Sequence, residues 1–333
     1  MEIEEQVLRL TRRGKTLRPF CLQARVKSHG YSRRLQRVLV DFGAENSFEK
    51  SAARIQEHYG ITVPATSVRR QTLRHGRAMS SIPSHRDVKA ARQLITQMDG
   101  SMIPVMQPGT GKDGRKGKVV FWREVKLCCA RQEGSARAIY AGTMGSAETA
   151  AWVWRETAQA CGMKPKTKVH GLGDGAPWIL DKFNDNFGRQ GSYLLDFYHV
   201  SEYLAAAMPA FKHAGQGKKW LHRQQGRLLN NQATKVLANL ARRWEPKAAA
   251  QAPVRAAYDY ISTRQGHLDY QGARQNGLPI GSGEIESGHG HVVQDRLKLC
   301  GCWWKEKHAE AMVNLRVARA NNLWSSYWLA SQN

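Results

Sequence analysis

The chain has 333 residues, with 51 Lys plus Arg against 27 Asp plus Glu and a formal net charge of +24. That length exceeds one average domain and can bury a large core. So large a positive excess repels itself unless a polyanion shares the surface, which makes nucleic acid the leading partner. A membrane span is excluded as an expectation, because the longest apolar window, Tyr203–Phe211, falls far short of the roughly 20 residues a spanning helix needs. Glu2, Glu4 and Glu5 stand where a signal peptide would be basic, and no apolar run follows them. A soluble, intracellular protein is therefore expected.

Six cysteines, Cys21, Cys128, Cys129, Cys161, Cys300 and Cys302, are adjacent or scattered and form no disulfide framework. His289 and His291 could join Cys300 and Cys302 as metal ligands, but the spacing fits no common structural zinc site. Reduced thiols are the better reading.

Residues 1–80 hold 16 Lys or Arg against 7 Asp or Glu, a net of +9. Ser47 can cap a helix carrying Phe48, Ala52, Ile55 and Tyr59, which Gly60 ends. Pro64–Ser67 then opens a second helix with Val68 and Leu73 inward and Arg69, Arg70, Arg74 and Arg77 outward. A helical hairpin with a solvated basic face fits this pattern. The fall of the arginines on the second helix favours a DNA-binding helix-turn-helix. Region 1–88 is assigned to it.

Leu94–Gln107 reads as a strand with Asp99-Gly100 near its middle. The Gly/Lys-rich turn Thr110–Lys118 leads to a second strand, Lys118–Arg131, and Ala136–Met144 makes a third. Ser146 caps a helix that closes at Gly162. Val169–Leu172 is a fourth strand ending at Gly173-Asp174-Gly175. A helix, Pro177–Phe187, follows, with Pro in its first turn, and then a fifth run, Tyr193–Phe197, broken by Asp196. A lone Asp at a strand end also serves as a helix N-cap, so both readings stand for each. By analogy with ribonuclease H-like folds, the first and fourth strands are neighbours, and Asp99 and Asp174 can share a metal ion.

Ser201–Gln275 is poor in β-branched residues and reads as helices at Tyr203–His213, Lys218–Leu229, Ala233–Trp244 and Val254–Thr263, an all-α insertion. A further helix is expected from Ser282, and a last one over about Lys307–Asn321. Glu284 and Glu286 both lie near the start of the Ser282 helix. Steps of three and four from Glu286 reach His289, Gly290, Val293 and Leu297, a side able to pack on a sheet. The same steps from Glu284 reach Ser287, Gly288, His291 and Asp295, a face suited to solvent or DNA. Glu286 is thus predicted to face Asp99 and Asp174, with Gly290 permitting close approach.

Five pieces carry a resemblance: Asp99-Gly100, GDGAPWI at 173–179, DFYH at 196–199, PIGSGEIES at 279–287, and RLKLCGCWW at 296–304 with NLR at 314–316. Together they resemble DDE transposases of bacterial insertion sequences, in the Kra-type group on the Mutator-like side of that superfamily. The resemblance spans about residues 90–325. It implies an α/β fold: a ribonuclease H-like catalytic core, with a mixed five-stranded sheet and flanking helices, interrupted by an all-α insertion. The core then occupies 89–200 and 276–333, the insertion 201–275. By position Asp99, Asp174 and Glu286 fall on the catalytic triad, and Asp196 and His199 on a D-x-x-H element. His199 either contacts the scissile phosphate or forms a structural pair with Asp196.

Strand transfer is an in-line displacement at phosphorus, for which two Mg²⁺ (or Mn²⁺) ions can activate the attacking oxygen and stabilise the leaving one. Asp99 is expected to bridge them, with Asp174 and Glu286 each completing one. The expected partners are double-stranded DNA, as terminal inverted repeats and target, and further copies of the chain in a homodimer or larger oligomer. Lys112, Arg115 and Lys116 of the Gly/Lys-rich turn, with Arg296 and Lys298, are further expected DNA contacts. Trp178, Trp303 and Trp304 suit either base stacking or core packing. A ribonuclease H-like nuclease or resolvase that cuts without joining, and a non-catalytic DNA-binding regulator, are the alternatives. All three acidic positions being filled argues against the regulator.

Overall fold

The alternation of side chains in Gln93–Gln107 (β1) and Val119–Gln132 (β2) closes a long antiparallel hairpin in the computed structural model, which describes residues 5–9, 16–24, 30–80, 88–109, 117–211, 216–246 and 252–330. Ile139–Thr143 (β3) adds antiparallel to the outer side of β2. The Ser146 hydroxyl then accepts from the Thr149 N–H and opens the helix Ala147–Ala160. This helix carries the chain across the sheet, so Lys168–Gly173 (β4) lies parallel to β1. A second crossover helix, Pro177–Phe187, places Gly191–Leu195 (β5) parallel to β4. The order in this mixed five-stranded sheet is β3-β2-β1-β4-β5.

Each face of the sheet has its own apolar layer. Met98, Cys128 and Ala141 pack with Trp154 and Phe183 of the two crossover helices. On the other face Ile103, Val125 and Leu127 pack with Ile285, Val293 and Leu315 from the C-terminal part of the chain. The helical stretch after β5 starts at Phe197, earlier than the expected Ser201. It contains Phe197–Ala207, Gly217–Leu229, Ala233–Ala241 and Pro253–Ser262. These helices bury Leu204, Trp220, Leu237 and Ile261 together, and join the sheet through Ile95, Leu172 and Leu194. The expected extension to His213 lies outside the described residues.

Before the sheet, among the described residues, come a short helix, Pro19–Gln23, and three longer ones, Arg33–Glu45, Phe48–Tyr59 and Ala65–Ala78, of which only the last two were expected. Ser32 and Ser47 cap the first two of the longer helices with their hydroxyls, and Gly60 ends the second in the left-handed region at φ 66°. Leu39, Ile55, Val63 and Val68 form a small core among them. Val40, Leu73 and Met79, however, belong to the same apolar cluster as Val105 and Leu315. The expected division near residue 88 therefore does not separate two cores. Gly76 explains how closely the parts fit, since a Cβ there would stand 2.2 Å from the Ala311 carbonyl oxygen on the helix Glu306–Ala320. Among the described residues no helix is long and apolar enough to cross a membrane.

Because that contact is with backbone, which cannot swing aside, Gly76→Val should cost about 1–3 kcal/mol, as overpacking does. Urea unfolding measures it, and a midpoint equal to that of the wild type would contradict the packing described.

Candidate active site

Strand register places three acidic residues at one level. Gln97 pairs with Leu172 in the parallel β1/β4 ladder, and Gly173 pairs with Leu195 across β4/β5. Two residues beyond Gln97 and Leu172 stand Asp99 and Asp174, and one beyond Gly173 and Leu195 stand Asp174 and Asp196. Neighbouring strands lie about 4.8 Å apart, so Asp174 and Asp196, just past the carboxyl ends of β4 and β5, stand level with Asp99 mid-way along the longer β1.

Their surroundings give them different work. Asp196 is 1% exposed. Of the two readings open for an Asp at a strand end, it is the N-cap, opening Phe197–Ala207 with its Oδ1 accepting from the N–H groups of Tyr198 (2.6 Å) and His199 (2.9 Å). Its Oδ2 accepts from the Ser282 N–H at 2.6 Å and from the Ser282 hydroxyl. Four donors thus converge on one buried carboxylate, the arrangement that makes such burial tolerable. The PIGSGE loop is pinned further by Phe197 N–H donating to the Ile280 carbonyl and by His170 Nε2 at 2.9 Å from the Pro279 carbonyl oxygen. Gly281 lets it pass under Tyr198, whose ring a Cβ would meet at 2.6 Å.

This pinned loop delivers the short helix Gly283–Gly288 to the sheet face of Gln97 and Asp99. Ser282 was expected to cap it, but its hydroxyl is engaged by Asp196. The buried Gln97 side chain caps instead, Oε1 accepting from the Ile285 N–H at 2.9 Å. The sequence carries no signal for Gln97, whose partner is 188 positions away. Glu284 was expected to face solvent or DNA; it is half-buried and accepts from Arg131 Nε on β2. Glu286 is exposed beside the acidic edge. The close approach is made by Gly288, where a Cβ would meet the Tyr140 ring at 2.6 Å, and not by Gly290, which has nothing within 4 Å. From His289 to Gln294 the helix widens to a π turn. That extra residue per turn shifts the face beyond Gly288, which period-3.6 counting cannot anticipate. Arg316 of the NLR segment satisfies the turn by donating from Nε to the His291 carbonyl at 2.9 Å.

Asp99 senses its neighbours. Burial first, then the charges of Asp174, Glu124 and Glu286, push its carboxyl up to about 6, against the pull of the Gly100 N–H on Oδ1. Glu124, on β2, is a fourth carboxylate that motif reading passes over; Lys126 Nζ stands 2.9 Å from it. His289 Nε2 lies 3.5 Å from Asp99 Oδ2, and burial pushes that imidazole down to about 4, so it is neutral at pH 7. Asp174 is half-buried at a turn where its Oδ1 accepts from the Ala176 N–H at 2.9 Å. Two residues of the helical insertion clamp that turn: the Tyr260 hydroxyl donates to the Asp174 carbonyl, and Arg264 Nε to the Gly175 carbonyl at 2.9 Å. His199 is half-exposed among Tyr203, Tyr260 and Glu202.

As placed, no three His, Cys, Asp or Glu side chains among the described residues form a group able to hold one metal ion. Arg69, Arg70, Arg74 and Arg77 are all exposed. Arg296 is not a surface residue. It is 1% exposed, packs between Phe48 and Trp304, and donates from Nε to the Gly43 carbonyl at 3.1 Å. Lys298 is exposed, and Lys112, Arg115 and Lys116 lie outside the described residues. Trp304 is buried, Trp178 half-buried, and Trp303 48% exposed beneath Lys118 Nζ. All six cysteines are free thiols.

The family described as "Uncharacterised protein family (UPF0236)" matches residues 25–326, and the chain belongs to it. A curated relative, the "UPF0236 protein in vanSb 3'region" of Streptococcus gallolyticus, is 24% identical over 294 residues, which cover 85% of this chain and 62% of the relative. The chain thus spans under two thirds of that relative's length. Among solved structures, the "Drosophila P element transposase strand transfer complex" matches at 9% identity over 92% of this chain and 82% of that one, with a TM-score of 0.33.

Asp196→Asn turns an NH₂ group or a weaker neutral acceptor toward the Ser282 donors. It should cost about 3 kcal/mol, the scale of leaving buried donors unpaired. Asp174→Asn, at a solvent-facing turn, should cost far less, and equal urea midpoints for the two variants would contradict these assignments. Asp99 gives a pH signature. Its folded value lies above the ordinary 3.8. Its contribution to stability is therefore complete below about pH 4 and is lost as pH rises through about 6. In metal-free buffer Asp99→Asn should melt above wild type at about pH 8, with the difference shrinking toward pH 4. A pH-independent difference would contradict the raised value.

Proposed function

We propose that this chain is a DDE-type transposase of the Kra-type insertion-sequence group, which binds the ends of its own element and cuts and joins DNA by phosphoryl transfer. The reading takes the β3-β2-β1-β4-β5 order as a ribonuclease H-like core and Ala65–Ala78 as the second helix of a helix-turn-helix. The observation that carries it is that Asp99, Asp174 and Glu286, from three distant parts of the sequence, lie close enough at the sheet for charge to be felt: Asp99 is raised first by burial and further by the charges of Asp174, Glu124 and Glu286. Carboxylates that repel one another at a half-open rim need a cation more than they need each other.

The donor set is all oxygen and suits a hard divalent ion. Asp99, Asp174 and Glu286 would be the residues that hold Mg²⁺ or Mn²⁺ there. When bound, the ions supply the charge that activates the attacking oxygen and stabilises the leaving one. The protein's own work is to hold the ligands still: Gln97 and Asp196 fix the start of the Glu286 helix, while Tyr260 and Arg264 fix the Asp174 turn. A homodimer or larger assembly on DNA belongs to the same reading.

With Mg²⁺ or Mn²⁺ and DNA carrying the element ends, Asp99→Asn, Asp174→Asn and Glu286→Gln should each lose cleavage and joining by more than about 100-fold, beyond the loss of a mere supporting partner. Glu284→Gln, which weakens only the link to Arg131, should keep substantial transfer. Wild-type rates in any of the first three variants would remove the assignment.

A further inference from the structure

Arg69, Arg70 and Arg77 do not simply face outward. With Thr66, Ser67 and His308 they line a cleft of about 340 Å³. Its lining comes from two distant parts of the chain, since the three arginines lie on the helix Ala65–Ala78 and His308 in the first turn of Glu306–Ala320, more than 200 residues away. Arg74, expected to act with the other three, is not part of it and stands instead near His75 and Tyr327. No Asp or Glu lines the cleft, and among the described residues none of its three arginines is in an ion pair. Lys305 and Lys307 add to the same field. Burial and the charges of Arg77, Arg69, Lys305 and Lys307 push the His308 imidazole down to about 4.

A cavity with three unneutralised guanidiniums, two hydroxyls and no acid is built for an anion with several oxygen acceptors. We propose that this cleft is a phosphate clamp that grips the DNA backbone jointly from the N-terminal helices and the C-terminal core, and that Arg69, Arg70 and Arg77 position DNA without reading its bases. This rests on the reading of the chain as a DNA-processing protein but changes what the helix Ala65–Ala78 does. An arginine set in a cleft against His308 meets the backbone that enters it, whereas base reading requires side chains free to reach a groove edge. The joint origin also ties DNA grip to the fold of the core.

The test is binding of the full chain, without divalent metal, to labelled duplexes carrying the gene's flanking DNA or a scrambled sequence, over a salt series. Arg70→Ala, Arg77→Ala and His308→Ala should weaken both duplexes alike, by roughly 3- to 10-fold, and each lost arginine contact should flatten the slope of log affinity against log salt by about 0.9. Unchanged slopes in both arginine variants, or a loss confined to the flanking sequence, would overturn the clamp. Intact metal-dependent cleavage beside unchanged slopes would overturn the clamp alone. Failure of the wild-type chain to bind either duplex would overturn the clamp and the functional reading together. Melting curves of the three variants matching wild type would show that lost affinity is not lost folding.

Discussion

The buried carboxylate of Asp196 is the constraint on which the acidic edge depends. An unpaired carboxylate at that depth would cost several kcal/mol, and here it faces two N–H groups of the helix it caps and two donors of Ser282. The bonds to Ser282 span 86 positions of sequence. They close the helical insertion into a loop whose two ends meet beneath the sheet edge. The helix bearing Glu286 therefore starts from a fixed point, and its first turn is aimed at β1 by Gln97. Without this junction, Glu286 would be tethered to Asp99 only through a long helical excursion.

A second set of buried polar contacts ties the two ends of the chain together. Arg296 reaches the Gly43 carbonyl, Arg316 reaches Glu45 and the carbonyls of His291 and Ala44, and Arg319 reaches Asp41. Arg319 lies over the Trp324 ring, and Arg296 lies between two rings, which suits planar, weakly hydrated guanidinium groups. Much of the positive excess near the C-terminus is thus internal structure, and only part of it is available to a polyanion. The phosphate clamp uses what remains exposed on both sides of this junction.

The five strands of the main sheet, the two crossover helices and the helical insertion were legible because each follows a local rule: alternation, a Ser cap, a Pro in the first turn, a Gly stop. The nearness of Asp99 and Asp174 was also legible, once the fold analogy made the first and fourth strands parallel neighbours. Four things were not. Arg33–Glu45 lies in a strongly basic stretch, where charge masks the apolar stripe of Leu35, Leu39 and Phe42. Gln97, Tyr260 and Arg264 act through partners far away in sequence, and no spacing reveals such pairs. The π turn at His289–Gln294 breaks the period from which the Gly290 contact was inferred, and Arg296, a charged residue in a basic run, gave no sign that it is enclosed by Phe48 and Trp304.

The central claim is that Asp99, Asp174 and Glu286 are one cation-binding edge. Anomalous diffraction from crystals of the full chain soaked in Mn²⁺ tests it most directly. The account predicts anomalous density among these three carboxylates, which disappears in Asp99→Asn crystals. Density only elsewhere, or density at this edge that survives loss of the Asp99 carboxylate, would contradict it.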